Sequence, residues 1–87
     1  MNIFKRNDSP KETVKRHVLN RLRNTSTGEV VRWGDNIITG LGTNMHETQK
    51  SLNHSDPAQA LMYLEDMRTG AVSLLAAIQV LEERINN

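Results

Sequence analysis

The C-terminal third of this chain carries an apolar repeat that strongly limits what the chain can fold into. Apolar residues recur there at alternating spacings of four and three, the pattern of a helix that packs along a second helix in a left-handed pair. The repeat consists of Ala60, Leu64, Met67, Ala71, Leu74, Ile78, Leu81 and Ile85. Asp56-Pro57 supplies an N-cap and a proline at the first helical position. We therefore predict a helix over residues 57–85.

A second helix is predicted over residues 27–52. Ser26 and Glu29 have the spacing of a capping box, although Thr25 or Thr27 could provide the cap instead. Its apolar stripe is predicted to contain Val30, Gly34, Ile37, Leu41, Met45, Thr48 and Leu52. Because only a short turn separates the two segments, they are expected to pack antiparallel as a long helical hairpin.

A shorter helix is predicted over residues 10–23, where Ser9 and Glu12 form another capping box around Pro10. Residues 1–8 are predicted to be a flexible N-terminal tail. The chain is thus expected to be a single all-α domain over residues 1–87, with a short N-terminal helix followed by a long antiparallel hairpin.

The last helix has more apolar surface than one neighbouring helix can cover. Ala76, Ala77 and Val80 leave little polar surface between Ala71 and Leu81, and a helix that is apolar around most of its circumference needs several neighbours. We expect a second copy to complete a bundle, as a homodimer or a higher oligomer. The predicted self-association residues are Leu61, Val72, Leu75, Ile78 and Leu81.

The composition excludes several classes of protein. The 87 residues include no cysteine, which rules out disulfides, zinc–thiolate sites and thiol catalysis and favours a cytoplasmic protein. Met1 to Arg6 is too short and too charged for a secretory signal, and no apolar run is long enough to cross a membrane.

Charge is distributed unevenly along the chain. Residues 1–32 contain eight basic and three acidic side chains, a net charge of +5, whereas residues 33–87 contain three basic and seven acidic, a net charge of −4. The basic side chains of the first helix surround it instead of forming one stripe, which favours a solvated or partner-pairing surface over a phosphate-binding one. They are Lys11, Lys15, Arg16, Arg21 and Arg23.

Several residues are candidates for contact with a partner or ligand. Trp33 lies off the main stripe of its helix, and tryptophan is enriched among binding hot spots. Arg68, at the edge of the apolar stripe, could reach water, pair across an interface with an acid such as Asp35, or contact an anionic ligand. The full set of candidates is Arg32, Trp33, Tyr63, Arg68 and Thr69.

No motif indicates catalysis, a metal site or a cofactor. The chain lacks a nucleophile elbow and a glycine-rich phosphate loop. Its three histidines, His17, His46 and His54, do not have metal-ligand spacing. We therefore expect a non-enzymatic protein.

Two families of similar outline can be compared. Secreted hairpins of the Trp-x-Gly class do not fit, because Trp33 and Gly34 are adjacent and lie within a helix. The outline resembles, in shape alone, small phage proteins that sequester cyclic oligonucleotides as oligomers. The favoured hypothesis is an oligomeric helical adaptor, regulator or inhibitor of a partner protein. The alternatives are an oligomeric binder of small anionic nucleotides and a weak nucleic-acid binder that uses the first helix.

Overall fold

A computed structural model describes the backbone of residues 10–86 and the side chains of residues 16–86. Within this range the chain forms three helices, α1 (Pro10–Arg23), α2 (Thr27–Asn53) and α3 (Pro57–Asn86), and no strand. The prediction of an all-α fold is confirmed. The capping box at Ser9 lies outside the described residues.

Short polar side chains begin the two long helices. The Ser26 hydroxyl accepts a hydrogen bond from the backbone N–H of Glu29 at 3.3 Å, which makes Ser26 the N-cap of α2. The Glu29 carboxylate pairs with Arg32 at 2.6 Å. At the start of α3, the Asp56 carboxylate accepts a bond from the N–H of Gln59 at 3.1 Å. Each cap satisfies a backbone donor that the first helical turn leaves without a partner.

The turn between α2 and α3 contains one residue in the left-handed region, Ser55, with φ of 57°. Its N–H bonds to the carbonyl of Leu52 at 3.0 Å, and the Asp56 N–H bonds to the carbonyl of Ser51 at 2.8 Å. This geometry resembles a Schellman ending, in which glycine normally takes the left-handed position. Serine pays a steric cost there that glycine does not.

Helices α2 and α3 pack closely against each other in opposite directions. A Cβ atom on Gly34 would lie 3.8 Å from both Ala77 and Leu74, and one on Gly70 would lie 3.0 Å from the Leu41 side chain. The earlier α2 residue thus meets the later α3 residue, so the two helices run antiparallel. At Gly70 the absence of a side chain allows this close approach, whereas a Cβ atom on Gly34 would make ordinary van der Waals contacts.

The inward row of each long helix consists of buried and half-buried residues at spacings of three and four. In α2 the row is Val30, Gly34, Ile37, Leu41, Asn44, Thr48 and Ser51. In α3 it is Ala60, Tyr63, Met67, Gly70, Leu74, Ala77, Leu81 and Arg84.

These rows correct the predicted stripes. The predicted residues Met45 and Leu52 of α2 are 54% and 57% exposed. In α3 the error affects every second member of the repeat, because Leu64, Ala71, Ile78 and Ile85 are all exposed. In each case the residue immediately before the predicted one points inward instead, and it is usually smaller than the predicted residue or polar.

The physical reason is that small residues bring these two backbones together. Gly34 and Ala77 can approach more closely than leucine or isoleucine would permit. Polar residues are tolerated in the inward row of α2 where a hydrogen-bond partner is available. The Thr48 hydroxyl, for example, donates to the carbonyl of Asn44 at 2.8 Å.

Helix α1 covers part of one side of this pair, around Val30 and Val80, and packs mainly on α3. The core joins all three helices, with Trp33 and Leu81 packed against its margin. Its buried members are Val18, Leu19, Leu22, Val30, Ala76, Ala77 and Val80.

Arg84 fastens the α1–α2 connection to α3. Its guanidinium donates to the carbonyls of Leu22 and Thr25 at 3.0 and 2.7 Å and to the Thr27 hydroxyl at 2.9 Å. Carbonyls at a helix end have no partner inside the helix, so one cation satisfies several of them.

Candidate interaction surface

The exposed large hydrophobic side chains are concentrated on one surface of the α2–α3 pair, which we call the open face. Its α2 row is spaced by seven residues, and its α3 row follows the three-four repeat with two charged members. The α2 row contains Val31, Ile38, Met45 and Leu52. The α3 row contains Leu61, Leu64, Arg68, Ala71, Leu75, Ile78, Glu82 and Ile85. Of the exposed large hydrophobic residues in the described range, Met62 alone lies elsewhere.

Helical geometry places the two rows on the same side of the pair. Every member of either row lies one residue after an inward residue, as Ile38 follows Ile37 and Ile78 follows Ala77. One residue is a rotation of about 100° around a helix axis. In antiparallel partners both the inward direction and the sense of rotation are reversed, so the same step leads to the same side.

The position of α1 agrees with this geometry. The α3 residues that pack against α1, Ala76 and Val80, come one residue before the inward Ala77 and Leu81. Trp33, which also packs against this core, comes one residue before the inward Gly34. Residues one position before an inward residue point to the side opposite that of residues one position after it. Helix α1 and the open face therefore lie on opposite sides of the pair.

Two charged residues of opposite sign interrupt the α3 row of the open face. Arg68 and Glu82 are both exposed. The Arg68 Nε atom lies 3.8 Å from a carboxylate oxygen of Glu65 on the same helix, and the two side chains are 66% and 58% exposed. Such a solvent-exposed pair contributes little to stability. The suggested pairing of Arg68 with Asp35 across an interface stays a prediction.

A groove between α1 and α2 brings together two other candidate residues, Arg32 and Trp33. Arg21 lines the same groove, which has a volume of about 250 Å³ and also contains Glu29. The groove therefore combines two guanidinium groups with an aromatic ring, although Glu29 already pairs with Arg32 at 2.6 Å.

The remaining contact candidates lie apart from this groove. Tyr63 lines a shallow depression near the α2–α3 turn, together with Lys50 and His54. Thr69 is exposed, and its hydroxyl donates to the carbonyl of Glu65 at 3.4 Å. The structure therefore does not bring Arg68, Thr69 and an aromatic residue together as one site.

The basic residues of α1 are also divided between different environments. Arg16 is exposed, Arg21 lines the groove, and Arg23 forms a bidentate pair with Glu83 at 2.8 and 3.1 Å. The Lys11 and Lys15 side chains lie outside the described range. The arginines that the structure describes do not form one continuous basic surface.

The Arg23–Glu83 pair connects the end of α1 to α3 and changes the titration of both groups. The hydrogen bonds from Arg23 lower the pKa of the Glu83 carboxyl, although partial desolvation opposes this effect. The same bonds raise the pKa of Arg23 above its already high ordinary value. The carboxylate form of Glu83 is therefore favoured in the folded chain.

The predicted self-association residues are not all available for contact with another chain. Leu61, Leu75 and Ile78 lie on the open face. Val72 is half-buried, and Leu81 packs against the core of its own chain. The α2 row was missed by the sequence argument, although a seven-residue spacing from Val31 to Leu52 could have indicated it.

Other kinds of site are not apparent in the described range. Among the described residues, no three histidine or acidic side chains are grouped so that they could hold a metal ion. None of the helices in that range has both the length and the hydropathy to cross a membrane. Comparisons with protein-family models, curated proteins and solved structures find no match for this chain.

Proposed function

We propose that this chain is a non-enzymatic protein–protein interaction module that self-associates through the open face and acts as an adaptor, regulator or inhibitor of a partner protein. One observation carries the proposal: nine large apolar side chains are exposed together on one side of α2 and α3. Contiguous apolar patches on a soluble chain are typical of protein interaction sites.

Burial of this face would also complete a helical bundle. Helix α1 already covers the opposite side around Val30, Ala76 and Val80, whereas no described helix covers the open face. Two such pairs packed face to face would form a four-helix core, a common solution for antiparallel helices. The proposal thus accounts for apolar rows on both long helices.

The test compares two glutamate substitutions on α2 by light scattering. Ile38→Glu places a charge in the centre of the open face, whereas Thr43→Glu places the same charge at an exposed position of the helix outside both rows. We expect the wild type and Thr43→Glu to form assemblies larger than the 9.9 kDa chain. Ile38→Glu should reduce the mass to that of one chain, with its helical circular dichroism retained. A wild-type chain that stays monomeric at all concentrations would contradict self-association.

The groove between α1 and α2 supports a second candidate function, the binding of small anionic nucleotides. Arg21 and Arg32 could contact phosphate groups, and Trp33 could stack on a base. Thermal unfolding in the presence of cyclic and linear nucleotides tests this function. Stabilisation that is lost in Arg21→Ala and retained in Lys50→Ala would support it, and no stabilisation of the wild type would exclude the nucleotides tested.

A further inference from the structure

We infer that the partner on the open face is a second copy of this chain, with its α3 antiparallel to the first and with Arg68 of each subunit paired with Glu82 of the partner subunit. This inference rests on the proposed self-association and specifies its geometry. Three observations support it: the levels of the two apolar rows, their symmetry, and the signs of the two charges.

The first observation concerns levels along the α2–α3 pair. Gly34 faces Ala77, and Leu41 faces Gly70. These two contacts define a common midpoint along the helices. Ile38 is four residues after Gly34 and three before Leu41, and Ser73 is four residues before Ala77 and three after Gly70. These two residues are therefore at the same height along the pair.

The second observation is that both rows are symmetric about this height. Val31 and Met45 lie seven residues on either side of Ile38. On α3, Leu61 and Ile85 lie twelve residues on either side of Ser73. A single two-fold axis, perpendicular to the helices at this height, therefore brings each of these row positions level with a row position of a second copy. Leu52 alone extends past the symmetric set.

The same axis pairs the inner members of the α3 row. Ala71 becomes level with Leu75 of the partner subunit, a small residue opposite a large one. Arg68 becomes level with Ile78 of the partner subunit, and Leu64 with Glu82 of the partner subunit. In antiparallel coiled coils the two alternating seam positions meet in this way, so the packing requires no change in helix phase.

The third observation is the charge pattern of the α3 row. With this axis, Glu82 of the partner subunit is one helical turn from the level of Arg68, an axial offset of about 6 Å that an arginine side chain can span. The contact occurs twice by symmetry. If the two α3 helices were parallel, Arg68 would face Arg68 of the partner subunit and Glu82 would face its own copy, and both contacts would be repulsive.

The same charges disfavour the other face-to-face arrangement, in which α3 packs on α2 of the partner subunit. The α2 row presents Val31, Ile38, Met45 and Leu52, and the exposed Asp35 lies on the same side because it follows the inward Gly34. With the two α2–α3 pairs related by an axis parallel to the helices, Asp35 of the partner subunit would lie about 12 Å along the helix axis from the level of Arg68, twice the offset of Glu82 in the antiparallel arrangement. Charge complementarity therefore selects the antiparallel contact between the two copies of α3.

Charge reversal tests the pairing. Arg68→Glu alone, or Glu82→Arg alone, creates two like-charge contacts and should raise the dimer dissociation constant by at least about tenfold. An equimolar mixture of these two variants should form heterodimers with nearly wild-type affinity, because each contact again joins opposite charges. Arg68 and Glu82 are fourteen residues apart on one helix, about 21 Å, so the rescue must occur between subunits. Single variants that dimerise as well as the wild type would overturn the pairing.

Distances between spin labels test the orientation independently. The chain has no cysteine, so Thr69→Cys and Asn86→Cys each introduce one label per subunit at an exposed position outside the α3 row. In the antiparallel dimer the two copies of residue 69 are offset by about 12 Å along the helix axis and those of residue 86 by about 39 Å. The residue 86 distance should therefore be clearly longer.

The two possible failures can be distinguished. Similar distances at both positions within a stable dimer would overturn the antiparallel arrangement and leave self-association intact. A chain that stays monomeric, with no distance at either position, would contradict the proposed function as well.

Discussion

The two sides of the α2–α3 pair have the same kind of apolar surface and different surroundings. On one side, Ala76 and Val80 are at most 1% exposed because α1 packs over them. On the other, Leu75 and Ile78 of the same helix are 53% and 43% exposed. Helix α1 therefore buries apolar residues on one side of the pair only, and the other side keeps an exposed apolar surface, which is the kind of surface that proteins use for interaction.

The largest expected effect separates the two sides by stability. Leu22→Ala removes a side chain that is 4% exposed in the covered core, and it should lower the free energy of unfolding by about 2–5 kcal/mol. Leu75→Ala on the open face should have a much smaller effect when both are measured by urea unfolding in the monomeric Ile38→Glu background. If both substitutions lowered the free energy of unfolding equally, Leu22 and Leu75 would be equally buried in the single chain, which would contradict the difference between the two sides.

Loss of the Arg84 contacts should have the next largest effect, because it weakens the attachment of α1. Arg84→Met keeps most of the side-chain volume and removes every hydrogen bond to the α1–α2 connection. We expect a loss of about 1.5–3 kcal/mol in the free energy of unfolding, as hydrogen bonds to charged groups have this range. Hydrogen exchange should show faster opening of α1 than of α2. Uniform opening of all three helices would contradict the specific role of Arg84.

A pair of glycine substitutions compares an open position with a packed one. Nothing lies within 4 Å of a Cβ atom on Gly40, so Gly40→Ala should raise the free energy of unfolding by about 0.8–1 kcal/mol through helix propensity. Gly70→Ala should gain less or lose stability, because its Cβ would lie 3.0 Å from Leu41. Thermal unfolding checks both, and a larger gain at Gly70 would contradict the close packing of α2 and α3.

The smallest expected effect is the pH dependence that arises from Glu83. Its folded-state pKa is lowered by Arg23, so its stabilising contribution is present above the unfolded-state pKa and is lost as pH falls through the folded-state value. Unfolding of the wild type should therefore become easier as pH falls below about 4.3, the ordinary glutamate value. The free energy of unfolding of Glu83→Gln should decline less than that of the wild type over this pH range. The same pH dependence in both proteins would contradict the contribution of the Arg23–Glu83 pair.

Local signals in the sequence predicted much of the fold. The caps at Ser26 and Asp56 and the prolines at positions 10 and 57 indicate where helices begin, because these residues act within one helical turn. The three-four repeat also identified long helices that pack along each other. Such signals depend on nearby residues and can be interpreted without knowing the tertiary contacts.

The choice of inward row could not be predicted in the same way. Two adjacent rows of α3 have the same spacing, and Leu64 and Ile78 make the wrong row the more hydrophobic one. The choice depends on how closely Gly34 approaches Ala77, and on which side α1 packs. Both are properties of the assembled helices. Of the predicted self-association residues, Leu61, Leu75 and Ile78 accordingly lie on the open face, Val72 and Leu81 do not, and the α2 row was missed.

Two methionines provide the most direct test of the open face as an interface. Met45 lies on that face and is 54% exposed, whereas Met62 lies outside it and is 63% exposed in the single chain. Oxidation by dilute hydrogen peroxide can be followed at each residue by mass spectrometry over a range of protein concentrations. We predict that Met45 becomes protected as concentration rises while Met62 stays reactive, and that Ile38→Glu abolishes the protection. Equal oxidation rates for Met45 and Met62 at every concentration would contradict the account.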